Sequence, residues 1–268
     1  MIKKYRFLIA RRFTQLSIIA LYILANIYGI NILMGNLSNS LVLQTVNLSD
    51  PFAVLQMIFA GAIISFDIAL GALIISIFYF ILGGRAFCSW VCPVNIITDC
   101  ANYLRRVLKF DEVQKKQPAT RNLRYWLILI SFIISYFMGV AAFELISPVS
   151  MVHRGLIFGL GFGLATMIVI FLFDLFVLKN GWCGHICPLG GFYSLIGRFS
   201  LLRVHHNSEK CTACMKCKVV CPEIQVLHMI DKSSEPVLQE CTLCARCIEV
   251  CEDDALNFEL RNYMKEKK

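Results

Sequence analysis

Two cysteine runs near the C-terminus have the composition of a redox centre. They are Cys211-x2-Cys214-x2-Cys217-x3-Cys221-Pro222 and Cys241-x2-Cys244-x2-Cys247-x3-Cys251. Thiolate sulfur is the soft ligand that iron–sulfur clusters take, and this spacing is one that ligates a [4Fe–4S] cluster. Three cysteines of each run wrap one [4Fe–4S] cluster, and the fourth reaches across to the other. Cluster 1 is therefore assigned Cys211, Cys214, Cys217 and Cys251. Cluster 2 is assigned Cys241, Cys244, Cys247 and Cys221. Zinc also accepts four cysteines, but it would not require a fourth cysteine at the same offset in both runs. The chemistry implied is one-electron transfer.

A second pair of motifs lies upstream: Cys88-Ser-Trp-Val-Cys92-Pro93 and Cys183-Gly-His-Ile-Cys187-Pro188. A proline suits the first position of a helix, where its missing N–H is no loss. Cys92 and Cys187 then stand at helix starts, an environment that favours thiolate. Cys88, Cys92, Cys183 and Cys187 can hold a further metal or cluster, or act as redox dithiols; packing in a tight turn is the plainer alternative. Cys100 has no counterpart and reads as a small buried apolar residue.

The elements that position these motifs are apolar. The 268 residues are 57% hydrophobic and only 16% charged, where soluble domains carry about 25%. Four stretches are near the ~20 residues that cross a bilayer: Phe13–Met34, Ile63–Leu82, Leu123–Phe143 and Leu156–Leu178. Phe52–Ala60 reads as a short interfacial or re-entrant helix. Val94–Phe110 and Leu189–Leu202 read as amphipathic interfacial helices, with Arg105, Arg106 and Arg198 at the membrane edge. Thirteen cysteines in close groups suit metal ligation better than a disulfide framework. No cleavable signal peptide is evident. The net charge of +8 has no basic stripe interleaved with aromatics, so nucleic acid is not an expected partner.

Lysine and arginine crowd the segments before span one (Lys3, Lys4, Arg6, Arg11, Arg12) and between spans two and three (Arg85, Arg105, Arg106, Lys109, Lys115, Lys116, Arg121, Arg124). Lys179, Arg198 and Arg203 follow span four. The other loops are poor in them. The positive-inside rule puts both termini and the cysteine-rich tail in the cytoplasm. The membrane part is an internal repeat: Asp50-Pro51 and Ser147-Pro148 correspond, as do Gln56 and His153, and each half ends in C-x3-C-P. Parallel repeats share an axis along the membrane normal.

The expected fold is a mainly α membrane protein. Four transmembrane helices form two tandem hairpins, followed by a small ferredoxin-like α+β domain with two [4Fe–4S] clusters. The expected domains are 1–110, 111–204 and 205–268. In the last, Val226–Ile230 and Ala255–Leu260 are predicted strands and Asp231–Pro236 the turn. A domain that small needs staples, and cluster ligation supplies them. Lys216, Lys218 and Arg246 read as solvated charges, and His205 and His206 as surface or interfacial residues.

Four spans, two C-x3-C-P motifs and a double-cluster tail together resemble the NapH family, the membrane quinol dehydrogenase component of periplasmic nitrate reduction. The resemblance covers almost the whole chain. It implies a quinol-oxidising electron-transfer component in the bacterial cytoplasmic membrane, drawing on menaquinol or ubiquinol in the quinone pool. It implies delivery to a NapG-like iron–sulfur protein and on to the periplasmic nitrate reductase system. The NosR and CcoG/FixG proteins share similar motifs but carry further domains with no room here. Glu252 follows Cys251, where Pro222 follows Cys221. The alternative function is an electron-transferring maturation factor for a client metalloenzyme. Ionisable groups in or near spans are candidate quinol residues: Asp67, Glu144, His153 and Arg154 on one face, Asp174 and His185 on the other. Trp90, Trp126 and Trp182 read as interfacial anchors.

Overall fold

The computed structural model describes residues 5–29, 32–109, 122–159 and 161–261. Lys3, Lys4, Lys115, Lys116 and Arg121 of the charge argument, and Phe110 at the end of one expected helix, lie outside them. The elements run α1 (Arg6–Tyr28), β1 (Leu33–Gly35), β2 (Asn39–Val42), β3 (Val46–Ser49), α2 (Pro51–Phe59), α3 (Phe66–Leu82), α4 (Ala86–Trp90), α5 (Val94–Val107), α6 (Leu123–Met138), α7 (Ala142–Ile146), α8 (Pro148–Phe158) and α9 (Gly161–Leu172). Two π-helical turns follow, π1 (Phe173–Val177) and π2 (Trp182–Ile186). Then come α10 (Pro188–Gly197), β4 (Leu202–His206), α11 (Lys216–Val220), a 3-10 turn (Ile224–Leu227), α12 (Arg246–Val250) and β5 (Leu256–Leu260). The chain divides into two compact units that interleave along it. The first is Met1–Phe13, Phe78–Val91 and Tyr193–Lys268; the second is Thr14–Ile77 and Cys92–Phe192.

The second unit is a helical bundle with a small sheet. Its apolar helices begin and end where local chemistry dictates. Asp50 caps α2, its carboxylate accepting the Ala53 N–H at 3.2 Å, and Pro51 occupies the first turn. Pro148 opens α8 in the same way. Gly139, at φ +66°, stops α6 in the left-handed conformation that glycine adopts freely. Gln56 is fully buried and accepts the Phe143 N–H at 2.9 Å, tying α2 to α7. β1, β2 and β3 form an antiparallel sheet in that order, with Leu33 opposite Val42 and Asn39 opposite Ser49.

The helix α1 is long and apolar enough to cross a membrane; α3, α6 and the stretch Gly163–Val177 are apolar but shorter. The bounds of the expected spans shift accordingly. Phe13–Met34 becomes Arg6–Tyr28, because Leu33–Gly35 pairs into the sheet. Ile63–Leu82 starts at Phe66. Leu123–Phe143 ends at Met138. Leu156–Leu178 is divided at Gly159, φ +114°, between α8 and α9.

Beside Val94 and Ala101, the face that α5 buries is mostly polar. Thr98, Asp99, Asn102 and Arg105 are buried, whereas Tyr103, Val107 and Leu108 are exposed. Arg105 is thus no edge charge: it donates to the carbonyls of Asp174 (3.1 Å) and Leu175 (2.9 Å). Those carbonyls belong to π1, where the widened turn leaves the regular ladder. Asn102 hydrogen-bonds Asn180. Cys100 is exposed on this helix, not buried, because the buried arc is taken by the polar residues. Arg124 is also buried and donates to the Gly184 carbonyl at 3.4 Å.

The first unit gathers three separated segments around the tail. The Glu249 carboxylate accepts the Phe7 and Leu8 N–H groups at 2.6 and 3.2 Å, satisfying orphan donors of α1. Phe87 stacks on Tyr193 with ring centroids 5.0 Å apart, and Tyr79 meets both edge-on. A Cβ on Gly84 would collide with the Tyr193 carbonyl, so only glycine lets this segment lie so close. β4 and β5 pair antiparallel from Leu202–Leu260 to His206–Leu256. The strand expected at Val226–Ile230 is a 3-10 turn instead, and Leu256–Leu260 finds its partner ahead of the cysteine runs. The helix expected over Leu189–Leu202 ends at Gly197, because Leu202 enters that sheet.

Candidate iron–sulfur and redox sites

The cysteine loops have a common backbone. Ala213 and Met215 in one, Leu243 and Ala245 in the other, all take φ between +52° and +59°. None is glycine, so each costs about 1 kcal/mol or more relative to ordinary backbone. Left-handed residues help turn backbone N–H groups towards an enclosed anion. The Ala213 N–H donates to Cys211 Sγ, and the Leu243 N–H to Cys241 Sγ, both at 3.4 Å. Each loop then enters a short helix, α11 or α12.

The thiols fall into two groups. Cys211, Cys214, Cys217 and Cys251 line one cavity, together with His206, Ile230 and Leu256. Cys241, Cys244, Cys247 and Cys221 line another, together with Val204, Glu223 and Leu227. In each, three cysteines come from one run and the fourth from the other. Among the described residues no three His, Cys, Asp or Glu side chains converge as ligands of a single metal ion. The thiols stand around a space, and a four-iron cube needs that spread, since each iron takes its own cysteine. Burial pushes Cys241 up to about 12, with the neighbouring Cys244 adding to the rise and the Arg85 charge opposing it. Burial and neighbouring thiols also raise Cys217, Cys221 and Cys247. Such crowded sulfurs ionise together only around a strongly cationic group, which the iron of a cluster is. The residues fit two [4Fe–4S] clusters.

Several residues around these cavities escape a reading of spacing alone. His206 is fully buried, not superficial, and its Nδ1 meets the Ser233 carbonyl at 2.8 Å. Trp90 is no free anchor: its Nε1 donates to the Leu243 carbonyl at 3.1 Å. Arg85 is buried and pairs with Glu223 at 2.9 Å. Lys216 pairs with Glu252 at 2.8 Å on the exposed surface. His205 lies near Glu259 at 3.8 Å.

Of the C-x3-C-P cysteines, Cys88 stands in α4 of the first unit; Cys92, Cys183 and Cys187 belong to the second. The Cys92 carbonyl accepts from Gln15 Nε2 at 3.1 Å. Cys183 lies in π2, and π turns are frequent at functional sites. The second unit also holds all the quinol candidates. His153 is fully buried, with the Tyr22 ring edge-on at 4.6 Å; neither ring nitrogen has a hydrogen-bond partner among the described residues. Burial, aided by the Arg154 charge, lowers His153 from 6.5 to about 4. Glu144 accepts from Ser38 Oγ (2.6 Å) and Ser150 Oγ (2.9 Å). Arg154 is exposed, as is Asp67 in the first turn of α3. Asp174 and His185 are buried in the π turns, and Asp174 accepts the Trp182 N–H at 3.0 Å.

Residues 54–111 and 160–205 match a family described as a 4Fe-4S binding domain, and residues 203–252 one described as a 4Fe-4S dicluster domain. The chain is 41% identical over 262 residues to the ferredoxin-type protein NapH of Haemophilus influenzae, covering 96% of this chain and 90% of that one. It is 38% identical to the ferredoxin-type protein NapH of Escherichia coli, over 97% and 91% of the two chains. The methylamine utilization ferredoxin-type protein MauN of Paracoccus denitrificans is 41% identical, over 83% and 78%. No solved structure matches. Paired cysteine cavities and these relatives define an iron–sulfur electron-transfer protein. The chain belongs to the NapH family of ferredoxin-type proteins.

Proposed function

We propose that the chain is a membrane quinol dehydrogenase component. It takes electrons from menaquinol or ubiquinol and passes them to a NapG-like iron–sulfur partner serving periplasmic nitrate reductase. The observation that carries the reading is the pair of four-thiol cavities, each with a backbone amide donating to a lining sulfur. Cys211, Cys214, Cys217 and Cys251 hold one cluster, and Cys241, Cys244, Cys247 and Cys221 the other. When bound, the clusters supply one-electron transfer. The Ala213 and Leu243 amides stabilise negative charge on the sulfurs they meet. The 4Fe-4S family description also falls on both halves of the membrane repeat. This supports a redox role for the C-x3-C-P cysteines Cys88, Cys92, Cys183 and Cys187.

Two observations support membrane residence in the bacterial cytoplasmic membrane. α5 buries Thr98, Asp99, Asn102 and Arg105 while exposing Tyr103, Val107 and Leu108. α3 and α6 leave Phe66, Leu73, Ile77, Leu129, Ile133 and Phe137 exposed, which lipid tolerates and water does not. In this reading α1, α3, α6 and α9 with π1 span, and both termini with the cluster domain lie in the cytoplasm. Arg11, Arg85, Arg105 and Arg124 are buried, so the orientation rests on the remaining cations.

Quinol oxidation releases two protons with its two electrons. Of the candidate quinol residues Asp67, Glu144, His153 and Arg154, His153 offers two unengaged ring nitrogens to a quinol hydroxyl, and burial keeps it neutral. Greater coverage by NapH relatives than by MauN favours the nitrate system. The test replaces Cys88, Cys92, Cys183 and Cys187 by serine in cells. A cofactor-complete nitrate reductase that turns over with an artificial donor but not with quinol is expected. A reductase lacking its cofactor would overturn the reading in favour of maturation.

A further inference from the structure

The buried pair Arg85–Glu223 has no part in the function above. Arg85 follows Gly83-Gly84 and leads into α4; Glu223 follows Cys221-Pro222 and lines the cavity of Cys221, Cys241, Cys244 and Cys247. Arg85 Nη1 lies 2.9 Å from Glu223 Oε1, with side chains 0% and 4% exposed. The same nitrogen donates to the Glu240 carbonyl at 2.8 Å, one residue before Cys241. One guanidinium therefore bridges residues that adjoin two thiols of a single cavity. α4 extends the attachment: Ser89 Oγ donates to the Thr242 carbonyl at 2.6 Å and Trp90 Nε1 to the Leu243 carbonyl at 3.1 Å. The first cavity is served differently. Beside it, Lys216 and Glu252 pair with side chains 49% and 78% exposed, where solvent screens the charges.

We propose that the Arg85–Glu223 pair sets the reduction potential of the cluster held by Cys241, Cys244, Cys247 and Cys221, independently of the other cluster. The proposal rests on the two-cluster reading. One-electron reduction adds one negative charge to the cluster and its thiolates. Fixed charges buried nearby act on it through low dielectric, and local charge and hydrogen bonding are levers on cluster potential. Arg85, on the Cys241 side, favours the added charge. Glu223, on the Cys221 side, opposes it. Removing either leaves the other uncompensated, so the two removals move the potential in opposite directions.

The experiment is an anaerobic redox titration followed by EPR on the full chain with clusters assembled, with dithionite as the electron source. The variants are R85Q, R85K, E223Q and R85Q/E223Q. Wild type should show two reducible species. R85Q should lower the potential of one, E223Q should raise that same one, and R85K and the double variant should stay near wild type. The other species should hold its potential throughout. Removing one member of a buried pair is destabilising, whereas removing both is tolerated. If R85Q loses its cluster, E223Q decides: a potential at or below wild type overturns the proposal. Shifts of the same sign in both single variants, equal shifts in both species, or no shift also overturn it. Iron content separates these results from failure of the two-cluster reading, which would show as fewer than two clusters in wild type.

Discussion

At the residue scale, each cavity takes three cysteines from one run and the fourth from the other. Spacing names the thiols because cluster ligation demands them at fixed intervals. Nothing in Ala213, Met215, Leu243 or Ala245 announces a left-handed backbone, since such conformations are imposed by what the loop encloses. Arg85 and Glu223 are far apart in sequence and meet only in the fold. The crossed grouping of the thiols has a direct consequence. C251S and C211S should abolish the same EPR species, and C221S and C241S the other. Each variant should lose roughly four of about eight irons. A C251S protein that lost the same species as C241S would contradict the grouping.

His153 carries a second residue-scale prediction. Its folded-state value near 4 lies below the ordinary 6.5. As pH falls from about 6.5 towards 4, the unfolded chain takes up a proton that the folded chain refuses. The associated stability is complete above about pH 6.5 and lost on acidification, on the order of 3 kcal/mol. H153Q should flatten this part of the stability profile, read as thermal melts across pH in detergent. An unchanged slope would mean that His153 does not titrate as its burial implies.

At the element scale, periodicity and prolines located most helices. Pro51, Pro148 and Pro188 open α2, α8 and α10, and the apolar stretches became α1, α3, α6 and α9. The three-stranded sheet escaped because its strands are three or four residues long and rich in Asn and Ser, too short for an alternating pattern to register. The β4–β5 pairing escaped because the two strands flank the whole cysteine-rich segment. Gly84 is the element-scale test. With no room for a Cβ against α10, G84A must shift backbone. It should cost about 1–3 kcal/mol and loosen the Arg85 contacts, read as earlier melting of the cluster domain; unchanged melting would contradict the close approach.

At the scale of the whole molecule, the cluster tail is not an appended bead. Its compact unit includes the first turns of α1 and the segment Phe78–Val91, with Glu249 capping α1 and Arg85 at the second cavity. Composition points to apolar helices and cysteine spacing to a ferredoxin-type tail, but neither points to this interleaving, which comes from long-range hydrogen bonds that no local pattern encodes. If both termini share the cytoplasmic side, reporters fused at either end should be active there and silent in the periplasm. A periplasmic signal from one end would overturn the orientation.

The most direct test of the central claim is an anaerobic titration of the purified, detergent-solubilised protein with a reduced menaquinone analogue, followed by EPR. The account predicts reduced [4Fe–4S] signals that grow with added quinol. Clusters that are reduced by dithionite yet stay silent with quinol, even with the partner iron–sulfur protein present, would contradict it.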